Sequence, residues 1–376
     1  MMEPKEKETT QISLLDRFRK SWFPAAAVVG AFGAFVAAAF RVRPIPKPTV
    51  QPAQAAGARK PSQPAVKSAP PAGGLDREYV QSMVLGGAAS AHPFGRSLSG
   101  IAIGAGDRIY ALGDDEVTIF EPGGNPVRNW KVIEKAECLA VGTDGRVYVG
   151  ASGRVEIYDA EGTRAGGFVA GENNRPAAIT AIKVFGKEIL VADAAARFIR
   201  RYDGNGRQLG TIGTKSKAGK FILPNKSLDF DMDSKGVVRA TDTGRHQVTA
   251  WAMDGSPLGS FGKFGMNNPE DFVGCCNPVN LALTPDGKVV TGEKMVARVK
   301  VYEPGGKLLA VIGPEHFDPN CIHIHLAVDS KGRILAADPV RREIRIFSLA
   351  VKVGVNEPFG GPRPLIDWKF EELKRA

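Results

Sequence analysis

What the sequence lacks narrows its chemistry before any pattern is considered. It has no phosphate-cradling glycine loop, no serine-nucleophile elbow and no convergent pair of carboxylates. Phosphoryl transfer, acyl-enzyme hydrolysis and two-carboxylate catalysis are therefore without their usual sequence devices. Histidine and cysteine are sparse, 5 and 4 in 376 residues. Lys and Arg outnumber Asp and Glu by 50 to 40, giving +10 at pH 7, yet the positive residues are scattered, with doublets such as Arg200-Arg201 and Arg341-Arg342 but no longer run. Nucleic acid is not expected as a partner, whereas a solvated basic surface facing acidic protein or anionic lipid headgroups is. Nothing in the composition calls for a second globular core.

What is present is a repeat. From Leu281 to Gly313 the chain reads LALTPDGKVVTGEKMVARVKVYEPGGKLLAVIG. The apolar runs LAL, KVVT, RVKVY and LLAVI alternate with Asp-Gly and Gly-Gly turns, which supply the φ > 0 positions of tight hairpins, so the unit is a four-stranded antiparallel meander. Its opening run recurs at Ile101, Leu139, Ile182, Leu228, Leu281 and Leu326, with successive starts 38, 43, 46, 53 and 45 residues apart. The third run ends each time in an aromatic: Phe120, Tyr158, Tyr202, Trp251, Tyr302 and Phe347. A sheet that is apolar on both faces is unstable until neighbours cover both, and packing six around an axis achieves this. The expected fold is all-β, a six-bladed β-propeller over residues 79–350. Val80 to Gly87 resembles the fourth strands, and Gly86 stands 15 residues before Ile101 as Gly213 stands 15 before Leu228. This N-terminal strand is expected to complete the last blade and close the ring.

The units also resemble NHL repeats, with LAVDSKGRILAADPVRREIRIF from Leu326 and VVRATDTGRHQVTAW from Val237 as the best matches. The resemblance implies the NHL-type propeller over roughly residues 79–349. It leaves function open, because propellers of this kind act as lyases, esterases, RNA binders and scaffolds.

Ahead of the repeats, residues 1–21 form a polar tail of mixed charge. Trp22 to Phe40 is an uncharged run of 19 residues, which as a helix rises about 28 Å, close to the hydrocarbon thickness. Small residues at Ala37 to Ala39 suit a signal peptidase, but the apolar core is longer than a signal peptide's and comes after a long polar segment, so residues 22–40 are expected to be an uncleaved transmembrane signal-anchor. Arg17, Arg19 and Lys20 are balanced by Arg41, Arg43 and Lys47. The early position of the helix and the great length of chain beyond it favour a cytoplasmic N-terminus and an exported propeller, periplasmic in a bacterium. Residues 41–78 read as an extended Pro/Ala-rich linker without a core. Residues 351–376 read as a tail with a short amphipathic helix on Leu365, Ile366, Trp368, Phe370 and Leu373.

Candidate chemistry gathers in two loops. Cys276 lies five residues before Leu281, and Cys321 lies five before Leu326, so both should occupy equivalent places near the axis in adjacent blades. Cys275 adjoins the first, while His323 and His325 come after the second on one face of an extended segment. These five residues are the candidate ligands of zinc or copper. A structural disulfide and a redox-active dithiol are the alternatives. Cys138 should lie on the same side at another depth. Asp193, Asp242, Glu293 and Asp338 recur at the end of the second strand, where they are expected to cap backbone N–H groups.

The resulting expectation is a membrane-anchored binding or assembly module whose axial face engages a protein or small ligand. The alternatives are a metal-binding or thiol-redox accessory protein and, behind it, a metal-dependent lyase or hydrolase.

Overall fold

The computed structural model describes residues 75–350, apart from residues 76, 89, 91 and 173. The polar tail at 1–21, the anchor at 22–40, nearly all of the linker and the tail at 351–376 lie outside the described residues. Among the described residues, no helix is long and apolar enough to cross a membrane.

Six four-stranded antiparallel sheets form the blades. In blades one to five the strands succeed one another in chain order outward from the axis. The innermost strands are Gly100–Ile103, Cys138–Val141, Ile179–Phe185, Phe230–Met232 and Asn280–Leu283. Blade six starts with His325–Val328, continues through Ile334–Asp338 and Glu343–Leu349, and takes its outer strand from the other end of the domain, Tyr79–Gly86. That strand pairs antiparallel from Tyr79 opposite Leu349 to Gly86 opposite Glu343. The ring therefore closes as the sequence pattern predicts.

The packing shows why a blade needs neighbours. Six apolar clusters fill the domain, and each straddles one boundary between adjacent blades. The cluster at the closing boundary joins Leu85, Ile344 and Ile346 of blade six to Ile101, Ile109 and Phe120 of blade one. All six aromatics that end the third strands are buried, Tyr302 and Phe347 completely. The turns before the outer strands let blades approach closely: Gly306 has φ 96°, and a Cβ there would stand 2.7 Å from the Phe261 ring of the preceding blade. Only glycine tolerates both conditions.

One repeat begins later than its sequence suggests. Strand pairing makes Phe230, not Leu228, the counterpart of Leu281, because both lie two residues inward from the residue opposite the third-strand aromatic. Gly236 and Gly287 then occupy the same turn position, and that turn sets the phase.

Antiparallel succession puts the connectors between blades, and the turns between second and third strands, on one end of the ring, here termed the connector rim. The remaining turns form the opposite rim. Because Tyr79 pairs with Leu349, the described chain starts and ends at the opposite rim.

Leu85 is 6% exposed and Val84 is 40% exposed on the same closing strand. Leu85→Ala should lower unfolding free energy by about 2–5 kcal/mol, while Val84→Ala should change it by less than about 1 kcal/mol, as measured by urea denaturation. Equal effects would contradict the closure described.

Candidate functional site

The connector rim is held by buried acids at the ends of the second strands. Asp193 accepts hydrogen bonds from the Ala178 and Ala196 N–H groups, at 3.2 and 3.0 Å. Asp338 accepts from Asp318, Val340 and Arg341, at 2.7, 2.9 and 3.0 Å. Asp242 accepts from Ile222 at 3.0 Å, and Glu293 from Val273 at 3.4 Å. Asp193 and Asp338 cap N–H groups of their own turns as expected, Asp242 and Glu293 do not, and all four tie down the incoming connector about 15 to 20 residues upstream. Asp114, which has no place in the repeated sequence pattern, performs the same task for the Gly95, Arg96 and Ser97 N–H groups. Loops fixed at both ends display their side chains in defined positions.

At mid-height the innermost strands present Ala102, Ala140, Lys183, Asp231, Ala282 and Ala327 at matching register. Four of these are alanines, and the remaining two residues form an ion pair, with Lys183 Nζ 3.3 Å from Asp231 Oδ1. Nearer the connector rim, Asp229 accepts hydrogen bonds from Asn280 Nδ2 and the Leu281 N–H, at 3.1 and 3.0 Å. The channel is tight here, about 40 Å³ beside Cys138, Asp229 and His325. It widens toward the opposite rim into a cavity of about 320 Å³ beside Lys183, Asp231 and Met232. Burial disfavours the Lys183 charge, but Asp231 and Asp229 outweigh it and raise its pKa. For Asp229 burial dominates, and its pKa rises despite Lys183 and the donated hydrogen bonds.

The predicted ligand residues do lie in the connectors before blades five and six, and they divide into separate groups. Cys276 takes a left-handed conformation, φ 65°, which turns its Sγ to 2.8 Å from that of Cys275. Cys321 Sγ instead donates to the His323 carbonyl at 3.0 Å. The His323 and His325 rings stack, with centroids 6.3 Å apart and planes inclined by 21°. All four cysteines are free. Among the described residues, no group of three or more His, Cys, Asp or Glu side chains is arranged to hold one metal ion. Burial pushes the Cys321 thiol up to about 12. It lowers the His325 imidazole, with His323 beside it, to about 4. Cys138 begins the innermost strand of blade two, level with His325, and burial raises its pKa as well.

The rims differ in polarity. Ile222, Phe264, Met266, Met295, Ile322 and Val340 are 41 to 69% exposed, and all stand on connectors or second turns of blades four to six. They succeed one another around the arc. Gly244 packs on Ile222, the His246 ring meets Phe264 at 5.3 Å, and Gly274 packs on Met295. The other large exposed apolar residues, such as Val127, Val169 and Leu258, are spread over the outer strands, apart from Leu349 at the end of the third strand of blade six. Turns of the opposite rim are polar, as in Asp-Ala-Glu-Gly from Asp159 and Asp-Gly-Asn-Gly from Asp203.

Several of these features leave little trace in the sequence. The axial pair of Lys183 with Asp231 and the neighbouring Asp229 has one visible sign, the alternation Leu-Asp-Phe-Asp-Met from Leu228 where other first strands are apolar. The doublet Arg200-Arg201 is not a solvated surface. Strand neighbours point to opposite faces, so Arg200 is buried on Asp193 at 2.9 Å, and Arg201 forks onto Glu188 with both bonds at 2.8 Å.

No family model matches the chain, and no curated protein sequence is similar to it. Solved propellers resemble its fold. Virginiamycin B lyase from Staphylococcus aureus is 11% identical with a TM-score of 0.51, over 73% of this chain and 100% of that one. A streptogramin B lyase is 10% identical with a TM-score of 0.50, over 69% and 95%. A chain of the mitotic checkpoint complex is 11% identical with a TM-score of 0.50, over 82% and 99%. At these identities the likeness is one of fold.

Iodoacetamide should modify exposed Cys275 first in the native protein and reach Cys138 and Cys321 only after denaturation, as seen by peptide mass spectrometry; early labelling of Cys321 would contradict its burial. His325 is neutral in the fold, whereas in the unfolded chain it takes up a proton below about pH 6.5. Its contribution to stability is thus complete above that pH and lost as pH falls toward 4. His325→Gln should flatten the decline of the urea midpoint between pH 6.5 and 4, and an unchanged slope would contradict the burial of the imidazole.

Proposed function

We propose that this chain is a binding module that holds a protein partner on the connector rim of blades four to six. The observation that carries this reading is the arc of exposed apolar side chains on that rim, set against a polar opposite rim. Singly exposed apolar residues are ordinary, but several gathered on the loops of one rim, fixed by carboxylates, are how propellers and other scaffolds present a contact surface. Lys215, Lys217, Lys220 and Lys226 line the connector before blade four, so the fitting partner has an apolar ridge flanked by acidic side chains.

The anchor at residues 22–40, the linker and the exported, NHL-type character of the propeller belong to the same reading. A second reading, a thiol-redox accessory, draws support from the close Cys275 and Cys276 sulfurs on the same rim. Its zinc or copper form would need ligands beyond these pairs.

The test uses affinity capture from the native source with three forms of the full chain: wild type, Met295→Asp/Ile322→Asp, and Val127→Asp on an outer strand as control. One protein captured stoichiometrically by wild type and control, and reduced about tenfold or more by the double variant, is expected, since buried apolar anchors dominate interface energy. Capture that survives the double variant, or is lost equally in the control, would contradict the proposed surface.

A further inference from the structure

One inter-blade connector differs from the rest. Between blades two and three the chain forms a small extra hairpin, Gly171–Glu172 paired with Arg175–Pro176. It is firmly set: the Gly171 N–H donates to the Tyr202 hydroxyl at 3.2 Å, the Ala177 N–H donates to the Ala170 carbonyl at 2.9 Å, and Pro176 packs on Gly153 of blade two. Gly171 itself, at φ 139°, lies against the Arg175 carbonyl with no room for a side chain.

The hairpin walls a cavity of about 630 Å³ between itself and the neighbouring connectors. Its charged lining is uneven: Arg175, Arg197, Arg200 and Lys220 face Glu172 and Asp193. Asp193 is already engaged, bonded to Arg200 at 2.9 Å and to the backbone N–H groups described above. Glu172 is 61% exposed and touches Arg200 only at 3.5 Å. Arg175, Arg197 and Lys220 take part in no ion pair among the described residues, whereas most arginines of the propeller have a carboxylate partner. Below them the Phe198 ring is buried, with the Arg200 guanidinium 4.7 Å and the Lys220 ammonium 4.8 Å from its centre. Three exposed cations without a carboxylate partner among the described residues line a recess whose base is the buried Arg200 guanidinium, itself bonded to Asp193 and, at 2.9 Å, to Gln208. Such a set is held apart by mutual repulsion and drawn together by a shared anion.

We infer that this cavity is an anion-binding site for a small molecule carrying two or more oxyanion charges, carboxylate or phosphate. Guanidinium forks match both groups in bidentate geometry, which lysine-only surfaces do not. Glu172 sits where one ligand oxyanion would meet Arg200 and acts as a tethered competitor that the ligand displaces. Lys220 borders both surfaces, but the site uses none of the exposed apolar residues and stands whether or not that arc binds a protein.

Isothermal titration of the purified full-length chain with citrate, tripolyphosphate and acetate, at constant physiological ionic strength, tests this. A single saturable site for citrate or tripolyphosphate is expected, and the tighter of the two identifies the carboxylate or phosphate source. Acetate, with one charge, should bind far more weakly. Arg175→Glu/Arg197→Glu should weaken binding by about tenfold or more, the effect of losing charge-assisted hydrogen bonds. Lys235→Glu, at an exposed turn on the opposite rim, should leave it unchanged, as should Met295→Asp. Glu172→Gln should tighten binding. The inference is overturned if no multivalent anion binds a folded chain, if Lys235→Glu weakens binding as much as the pocket variant, or if Glu172→Gln weakens it.

Discussion

Every blade of this protein is apolar on both faces, and that single constraint organises the rest. A four-stranded sheet of this kind cannot exist alone in water, so each apolar cluster lies between two blades and none lies within one. A linear stack would leave two faces bare. Pairing Tyr79–Gly86 with Glu343–Leu349 removes both at once, because the strand that completes blade six also buries Leu85 against blade one. Chain ends far apart in sequence thereby hold the wheel shut.

Closure fixes the axis and the rims, and carboxylates at or just beyond the ends of the second strands, all buried except the partly exposed Asp114, then fix the connectors. Asp114, Asp193, Asp242, Glu293 and Asp338 each bind N–H groups of the incoming loop. These loops are therefore able to carry exposed apolar residues and converging cations without collapsing. The two features share the connector rim and divide it, apolar groups over blades four to six and the cationic recess over blade three and the connectors on either side of it. The axis carries a third polar feature, with Lys183, Asp229 and Asp231 in a channel whose other mid-height positions are alanine.

The fold was legible because its determinants are local and periodic: turn glycines, two-residue alternation and one buried aromatic per unit. Even the closing strand could be matched by its spacing to Ile101. The phase of the fourth unit was not, since Asp229 and Asp231 interrupt the apolar run that marks the others. The sites were less legible because they are assembled across blades. Lys183 and Asp231 belong to different units, and the recess draws Arg175, Arg197 and Lys220 from three loops. Sequence placed Cys275, Cys276, Cys321, His323 and His325 on the right rim but held no sign that a left-handed Cys276 would bring the first two sulfurs together, or that the Cys321 thiol would bond the His323 carbonyl instead.

The central claim is that the N-terminal strand is an integral part of the last blade and not an appendage. Native-state hydrogen exchange across increasing denaturant measures this directly. Amides of Met83 and Leu85 should open with the same free energy and denaturant dependence as that of Arg345, which faces the inner neighbour strand, in the global unfolding event. Exchange of the N-terminal strand at markedly lower free energy, while blade six remains protected, would contradict the account.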